Sequence, residues 1–260
     1  MESIFDTEVL NSRYFFPRQQ PFDSPFWIET DGERLSCYYW QHDPQARTVV
    51  FFHGNGETVA DYIDFLPPIL DQMGLNCFLA EYRGYGMSSG RPALTAMLAD
   101  VERIVEALGQ PLQQLILFGR SIGSIYAIHG AYRFPMISGL IIESGVADVL
   151  DRILLRVQPE ELGVSSQQMK EAVALQLDPQ KKLSNFQGAS LIMHARGDSL
   201  LHVSHGQTLF DWAPQPKYIK IFDQGDHNDI FYANSEQYLI ELATFFQSLP
   251  PLDQINNGMR

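Results

Sequence analysis

The sequence predicts an α/β protein whose largely parallel, eight-stranded sheet is flanked by helices. Its 260 residues are enough for a single α/β domain, 1–260, with a sizeable core. Short runs of apolar and β-branched residues alternate with longer segments in which apolar residues recur every three or four positions. Most of the short runs are apolar on both faces, which is typical of strands that helices cover on each side.

The predicted strands begin with a hairpin, because the runs 25–30 and 35–40 flank Asp31-Gly32, a dipeptide typical of tight hairpin turns. Six further runs follow as candidate parallel strands. They cover 48–53, 76–81, 112–118, 138–143, 190–194 and 217–222. The last run carries Lys217 and Lys220 in a more alternating pattern, which indicates a strand near the edge of the sheet.

Helical periodicity fills most of the intervals between these runs and predicts crossover helices. The candidate helices cover 57–73, 95–108, 121–132, 203–212 and 236–248. In an open sheet of this kind, ligands bind at the carboxyl ends of the strands. The residues just after each strand are therefore the first place to look for a functional site.

The interval 146–187 is too long for an ordinary crossover and contains two helical patterns, 149–157 and 166–177. We expect it to form a small helical cap above the sheet, with an apolar side toward the ligand pocket. The same apolar residues could instead fix the cap to the body of the protein. They are Leu150, Ile153, Leu154, Leu155, Val157, Leu162, Met169, Val173 and Leu177.

The charge balance argues against polyanionic partners. Asp and Glu number 31 against 18 Lys and Arg, which leaves a formal net charge of −13. Such a surface repels phosphate backbones, so we expect no nucleic-acid partner. No apolar run approaches the ~20 residues of a membrane-spanning helix, so no integral membrane segment is expected. The acidic start of the chain lacks the features of a signal peptide, which favours a cytoplasmic location.

The two cysteines, Cys37 and Cys77, lie in apolar runs and lack the spacing of a metal or redox motif. We expect both to be buried as small apolar side chains. No other group of residues has metal-ligand spacing, so neither a metal ion nor another cofactor is expected. The oligomeric state is left open.

The most informative motif is Gly119-Arg120-Ser121-Ile122-Gly123, which follows an apolar strand and precedes a helix. In that setting G-x-S-x-G is typical of a nucleophile elbow. The sharp turn strains the backbone of Ser121, and glycine is needed on both sides because the chain approaches itself closely. The following helix directs its positive end toward developing negative charge. The alternative is a serine that merely caps the helix.

A nucleophilic serine needs a base, and His227 is the best placed of the seven histidines. It lies in a Gly/Asp-rich loop just after the last predicted strand, from which an imidazole could reach Ser121. For the other six we expect structural roles. They are His42, His53, His129, His194, His202 and His205.

The acid that orients His227 is best assigned to Asp198, which follows the strand 190–194. The chain order Ser121, Asp198, His227 is that of Ser…Asp…His hydrolases. Asp148 follows the preceding strand and is a rival. Three further aspartates crowd the histidine itself, where adjacent side chains seldom face one another. They are Asp223, Asp226 and Asp229.

An oxyanion needs hydrogen-bond donors, and two backbone amides are candidates. One is the N–H of Ile122, directly after the nucleophile. The other is the N–H of Asn55 in the turn His53-Gly54-Asn55-Gly56, where glycines would let the backbone approach a substrate. A plain strand-to-helix turn would use glycines as well.

Arg120 occupies the variable position of the elbow, where a charge near the sheet edge needs a partner. We predict that it pairs with Glu143, at the end of the neighbouring strand, beneath the elbow. Together with Gly119 and Gly123 it would then support the site structurally. The alternative is that Arg120 recognises the substrate.

The segments FFHGNGE, EYRGYGMSSG, FGRSIGS, HARGDSL and GDHND resemble the α/β-hydrolase superfamily over nearly the whole chain. They look like its compact serine-hydrolase branch, which includes microbial hydrolases and the eukaryotic depalmitoylating α/β-hydrolase-domain proteins. The resemblance implies an eight-stranded sheet whose second strand is antiparallel, and Ser121, Asp198 and His227 as the triad. Members of the branch are esterases, thioesterases or acylglycerol lipases.

These observations predict a serine hydrolase that cleaves a carboxylic ester or thioester through an acyl-enzyme on Ser121. The expected partner is a small-molecule or acyl-chain ester, with a short to medium acyl chain because the cap is small. A serine peptidase or amidase is an alternative, since an elbow and a triad do not distinguish amides from esters. A non-catalytic binding protein on a hydrolase scaffold is the alternative of a different class.

Overall fold

The hairpin at Asp31-Gly32 forms the beginning of the sheet. Both turn residues have positive φ angles, 43° and 82°, as the tightest hairpin turns require. Thr30 and Glu33 pair directly across the turn. The computed structural model describes residues 3–252, and all of the predicted elements lie within that range.

The described part of the chain forms one eight-stranded sheet, in the order β1-β2-β4-β3-β5-β6-β7-β8. β2 is antiparallel to both of its neighbours, whereas the strands from β4 to β8 pair in parallel. The predicted mostly parallel sheet with an antiparallel second strand is therefore confirmed. The strands are β1 Phe26–Thr30, β2 Glu33–Trp40, β3 Thr48–Phe52, β4 Asn76–Ala80, β5 Leu115–Arg120, β6 Gly139–Glu143, β7 Ala189–Ala195 and β8 Lys217–Phe222.

Helices cover both faces of this sheet. None of those within residues 3–252 is long and apolar enough to cross a membrane. They are α1 Glu8–Tyr14, α2 Leu66–Gln72, α3 Ala96–Leu108, α4 Gly123–Arg133, α5 Val149–Leu154, α6 Ser166–Gln176, α7 Pro179–Leu183, α8 Ser204–Trp212, α9 Ile230–Ala233 and α10 Ser235–Ser248.

The helix predicted over 57–73 is interrupted. Its first part is the 3₁₀ turn Val59–Asp61, which Thr58 and Asp61 close with a capping box. The α-helix begins only at Leu66, with prolines at its first positions. Proline lacks an amide hydrogen and fits the first turn of a helix but not its interior. The two prolines therefore make a new helix start where a continuous helix was expected.

Successive strand residues point to opposite faces, so each central strand contributes to two apolar clusters. Phe52 and Leu117 lie in one cluster, and Phe51 and Phe118 lie in the other. The five residues of β3 are all buried, whereas β8 at the edge of the sheet is mostly half-buried. The prediction that β8 lies near an edge is confirmed.

The segment between β6 and β7 contains α5, α6 and α7, and we call 146–187 the cap. Several of its apolar side chains are buried in the first of the two clusters. They are Ile153, Val157, Met169, Val173 and Leu177. The cap therefore shares its core with the body of the protein.

Candidate active site

Ser121 lies in a tight turn between β5 and α4. Its φ angle is 54°, in the left-handed region that residues other than glycine rarely adopt. Such a conformation costs roughly 1–3 kcal/mol and persists only where the surroundings enforce it. A Cβ atom at Gly123 would overlap the carbonyl oxygen of Phe52, and one at Gly119 would overlap that of Gly123. The turn therefore requires glycine two residues before Ser121 and two residues after it.

The structure brings Ser121, His227 and Asp198 into one chain of hydrogen bonds. The Oγ of Ser121 lies 2.8 Å from Nε2 of His227, and Nδ1 of His227 lies 2.8 Å from Oδ2 of Asp198. A carboxylate only accepts, so Nδ1 carries the proton and Nε2 is the nitrogen that accepts from Ser121. All three residues are buried. This is the geometry that a serine needs to transfer its proton to a base.

The surroundings of Asp198 keep it ionised. Its Oδ1 accepts hydrogen bonds from the amides of Leu200 and Leu201, at 3.0 and 2.7 Å. Nε2 of His194 lies 3.3 Å from Oδ2. Burial raises the pKa of Asp198, but the hydrogen bonds from His194, His227 and Leu201 outweigh it and hold the pKa well below its usual value. His194, expected to be structural, thus supports the acid directly.

The rival carboxylates have other partners. Asp148 is exposed and caps α5 by accepting from the amide of Asp151. Asp226 accepts from the amide and hydroxyl of Ser199 and ties the two loops together. Asp223 forms a surface ion pair with Arg196, and Asp229 accepts from the amide of Asp226. Asp226 also accepts from the backbone amide of His227, but of the five candidates only Asp198 accepts from the imidazole.

The two predicted oxyanion donors face the same cavity as Ser121, which Asn55 and Ile122 both line. The neighbouring amides have partners, because the N–H of Ser121 donates to Glu143 O and that of Gly54 donates to Glu57. Within residues 3–252, neither the N–H of Asn55 nor that of Ile122 donates to a protein acceptor. These are the two amides that a ligand oxygen can use.

Hydrogen bonds fix the turn over 53–56, which we call the Asn55 turn. The side chain of Asn55 donates to Tyr14 O at 2.6 Å and accepts from the hydroxyl of Tyr85 at 2.8 Å. Behind the turn, His53 donates from Nδ1 to Gly54 O and from Nε2 to Glu81. Burial lowers the pKa of His53, but the Glu81 carboxylate, the Gly54 carbonyl and Glu57 together outweigh it, so the net pKa is raised. His53 and Glu81 form a buried ion pair that rigidifies the turn.

Arg120 joins the loops that carry the site. Its Nε lies 3.0 Å from Oε1 of Glu143, so the ion pair expected beneath the elbow is present. Arg120 also pairs with Glu57, which accepts from the amide of Gly54 in the Asn55 turn. A third bond runs from Nη2 to the carbonyl oxygen of His227, at 2.9 Å. One buried guanidinium thus connects the elbow, the Asn55 turn and the histidine loop.

Apart from Glu143, the partners of Arg120 were not anticipated from the sequence. Glu57 follows the Asn55 turn directly, and a carboxylate so close to a glycine-rich turn is a signal that could have been used. Tyr238 of α10 donates its hydroxyl to Glu143, and nothing in its local pattern distinguishes it from a packed aromatic residue. Burial raises the pKa of Glu143 more than Arg120 lowers it.

The cavity at Ser121 has a volume of about 180 Å³. Its walls come from the segment after α1, the Asn55 turn, the elbow, the cap and the two loops that hold Asp198 and His227. From the cap, Val146, Arg152 and Arg156 line it, whereas the nine apolar cap residues expected there do not. That expectation was wrong because most of those side chains pack into the core or against it.

Cys37 and Cys77 are both buried free thiols. In the described range 3–252, no three His, Cys, Asp or Glu side chains are grouped so that they could hold a metal ion.

Residues 43–162 match a family model described as serine aminopeptidase, S33. The match contains the Asn55 turn and the elbow but does not reach Asp198 or His227. The chain is 28% identical over 226 residues to alpha/beta hydrolase domain-containing protein 17C of Xenopus tropicalis, covering 84% of this chain and 68% of that protein. It is 27% identical over 220 residues to protein 17B of Homo sapiens, covering 82% and 71%.

Solved structures share the fold at low sequence identity. The Pyrococcus furiosus esterase Pf2001 superimposes with a TM-score of 0.70 and 17% identity, over 90% of this chain and 98% of that one. Est1E of Butyrivibrio proteoclasticus, solved with ferulic acid, gives 0.71 and 15%, over 85% and 98%. A monoacylglycerol lipase of Paleococcus ferrophilus gives 0.62 and 18%, over 81% and 97%.

Proposed function

We propose that this chain, which belongs to the α/β-hydrolase superfamily, is a serine hydrolase that cleaves carboxylic esters or thioesters. The observation that carries the proposal is the unbroken chain of two 2.8 Å hydrogen bonds from Ser121 through His227 to Asp198. The strained elbow and two free amides beside it supply the remaining parts of such a site.

In the first half-reaction Oγ of Ser121 attacks the substrate carbonyl while Nε2 of His227 takes its proton. The N–H groups of Ile122 and Asn55 stabilise the oxyanion of the tetrahedral intermediate. When the intermediate collapses, the bond to the leaving alcohol or thiol breaks and His227 returns the proton to it. The product of this step is an acyl ester of Ser121.

In the second half-reaction a water molecule attacks the acyl-enzyme and gives its proton to His227. The second tetrahedral intermediate uses the same two amides and then releases the carboxylic acid, while Ser121 recovers its proton. Asp198 remains ionised throughout, keeps His227 in the required tautomer and stabilises the imidazolium.

The size of the cavity supports a short to medium acyl chain. Its volume of about 180 Å³ is comparable to the ~150 Å³ of an apolar protein cavity that holds benzene. An acyl group of a few carbons fits such a space, and a longer one would extend along the cap toward solvent. Two of the solved structures that share the fold are described as an esterase and a monoacylglycerol lipase, which agrees with ester substrates.

An amide substrate is the second candidate, because the matching family model is described as a serine aminopeptidase. The same triad serves both bond types, and the free amides bind either oxyanion. Comparing a p-nitrophenyl ester with the p-nitroanilide of the same acyl group distinguishes them. We expect turnover of the ester and none of the anilide, and the reverse preference would favour a peptidase or amidase.

The role of Ser121 is tested with a fluorophosphonate probe, read by intact mass, and with p-nitrophenyl butyrate turnover. We expect one adduct on the wild type, and none on Ser121→Ala together with a loss of turnover of ~10⁴-fold or more. Ser144→Ala is the matched control, since the buried Ser144 hydroxyl makes no hydrogen bond within residues 3–252. Ser144→Ala should keep wild-type probe labelling and wild-type turnover.

A folded wild-type protein that takes up no probe would contradict the proposal and favour a binding protein on this scaffold. Turnover by Ser121→Ala at a tenth of the wild-type rate would show that another residue is the nucleophile.

A further inference from the structure

Two arginines of the cap, Arg152 and Arg156, line the same cavity as Ser121 and His227. Most arginines in the described range 3–252 lie within 4.0 Å of a carboxylate oxygen. Within that range, Arg152 and Arg156 have no such partner, although the chain carries a net charge of −13. The cavity wall therefore holds uncompensated positive charge in an otherwise acidic protein.

Their present contacts leave most of their hydrogen-bond donors unused. Arg152 donates from Nη1 to the carbonyl oxygen of Leu200 at 3.3 Å. The guanidinium of Arg156 lies 5.4 Å from the ring centroid of Phe16. A guanidinium group has five N–H donors in a planar fork, so each of these arginines can still bind an anion with two parallel hydrogen bonds.

Tyr14 lines the same cavity as both arginines. Burial raises the pKa of Tyr14 to about 12, and the charges of Arg152 and Arg156 oppose that rise. The charges of the two arginines therefore act on the same residue of the cavity wall.

The rest of the lining does not neutralise them. Of the residues that the structure describes, none with a carboxylate side chain lines the cavity. Arg120 lines it as well, but its charge is balanced by Glu57 and Glu143. Like charges placed together near a low-dielectric wall attract a counter-ion strongly. Arg152 is half-buried and Arg156 is exposed at the edge of the cavity, so an anionic group of a ligand can reach both.

We propose that Arg152 and Arg156 form an anion-binding subsite, so that the preferred substrates are esters or thioesters carrying a carboxylate or phosphate group. This inference rests on the proposed function and specifies the substrate class of the same site. Carboxylate and phosphate each present a pair of oxygens that an arginine fork can bind with two hydrogen bonds. The anionic group can belong to the acyl part or to the leaving group, and the two positions are separated experimentally.

The test compares kcat/KM within three matched pairs of substrates. For the acyl side, mono-p-nitrophenyl adipate is compared with p-nitrophenyl hexanoate. For the leaving group, the butyrate ester of 3-hydroxy-4-nitrobenzoate is compared with that of its methyl ester. For phosphate, monobutyrylglycerol 3-phosphate is compared with monobutyrylglycerol. We expect the wild type to prefer the anionic member of at least one pair.

In Arg152→Gln and Arg156→Gln, we expect that preference to fall by about tenfold for each variant, the effect of losing a charged hydrogen bond. Turnover of the neutral substrates should fall much less than that of the anionic ones, and retained fluorophosphonate labelling shows that the variants are folded. Arg103→Gln is the control, because it removes the same charge from an exposed surface pair with Glu106. Arg156→Lys should restore part of the preference.

Wild-type turnover of neutral esters without preference for any anionic member would overturn the subsite and leave the proposed function intact. An equal loss for neutral and anionic substrates in both Gln variants would also overturn it and assign the arginines to the fold of the cap. A wild type that hydrolyses none of the six substrates would overturn both proposals.

Discussion

At the scale of single residues, the site depends on which polar atoms share a buried space. Asp198 and Asp148 follow neighbouring strands, yet only Asp198 is buried against an imidazole. Asp148 lies in solvent and caps a helix instead. The difference arises because the chain after β7 turns back at once, so that its amides donate to the Asp198 carboxylate. The chain after β6 instead continues into the cap.

This contrast predicts the effect of two matched substitutions. Asp198→Asn should lower kcat/KM for p-nitrophenyl butyrate by ~10⁴-fold, because an amide favours the wrong imidazole tautomer. Asp148→Asn should keep wild-type turnover, since asparagine caps helices as well as aspartate does. Circular dichroism checks that both variants are folded. An equal or larger loss in Asp148→Asn would contradict the assignment of Asp198, rather than Asp148, as the acid.

At the scale of elements, the cap is docked onto α4 through a buried polar contact. Lys182 of α7 donates to Nδ1 of His129 on α4 at 3.0 Å, and His129 faces Glu102 of α3 on its other side. Burial lowers the pKa of Lys182 to about 8, and the nearby Asp178 opposes this only in part. Burial and Lys182 together lower the pKa of His129 to about 4. The sequence predicted a packed or surface role for His129, and it is packed here.

The lowered pKa of Lys182 makes stability depend on pH. The unfolded chain keeps a proton on this lysine up to its ordinary value of 10.5, whereas the folded chain loses it near pH 8. Between these values the unfolded state binds more protons, so the free energy of unfolding rises with pH. We expect the free energy of unfolding of Lys182→Met to lack this part of the rise. Urea unfolding from pH 8 to 10 measures it.

Lys181→Met is the matched control, because the neighbouring Lys181 is exposed. Its unfolding free energy should follow the same pH course as the wild type. If the curves of both variants ran parallel to that of the wild type, Lys182 would not titrate within the folded protein in this range.

At the scale of the whole molecule, the cap and the body fold around one core. Met169 and Val173 of α6 are buried in the cluster that also contains Leu117 and Leu140 of the sheet. Leu175, on the same helix, is 72% exposed. The cap is therefore part of the cooperative structure, and its side toward Ser121 is formed by arginines rather than by leucines.

A pair of substitutions in α6 tests this sharing of the core. Met169→Ala should lower the free energy of unfolding by about 2–5 kcal/mol, because it leaves a cavity in the packed core. Leu175→Ala should change it by less than about 0.5 kcal/mol, as exposed positions do. Urea unfolding of the full chain measures both. A single transition with equal midpoints for the two variants would mean that the cap contributes nothing to the stability of the body.

The sequence alone determined the sheet, the positions of its strands, the elbow and the short set of residues from which the site is built. These features are local: apolar runs, turn glycines and the spacing of G-x-S-x-G are written within a few consecutive residues. The break in the helix over 57–73 was also local, and its two prolines could have been recognised. The helix over 8–14 was not predicted, because its apolar pattern is too short to indicate a helix.

Tertiary structure alone decided which side chains meet. It placed Asp198 rather than Asp148 or Asp226 against the imidazole of His227. It also joined Arg120 to Glu57 and to the His227 carbonyl oxygen, and it brought Arg152 and Arg156 to the cavity. Contacts between residues far apart in the chain depend on how loops leave the sheet and on the full packing of the core. No local periodicity encodes that packing, because it is the sum of many weak contacts across the whole molecule.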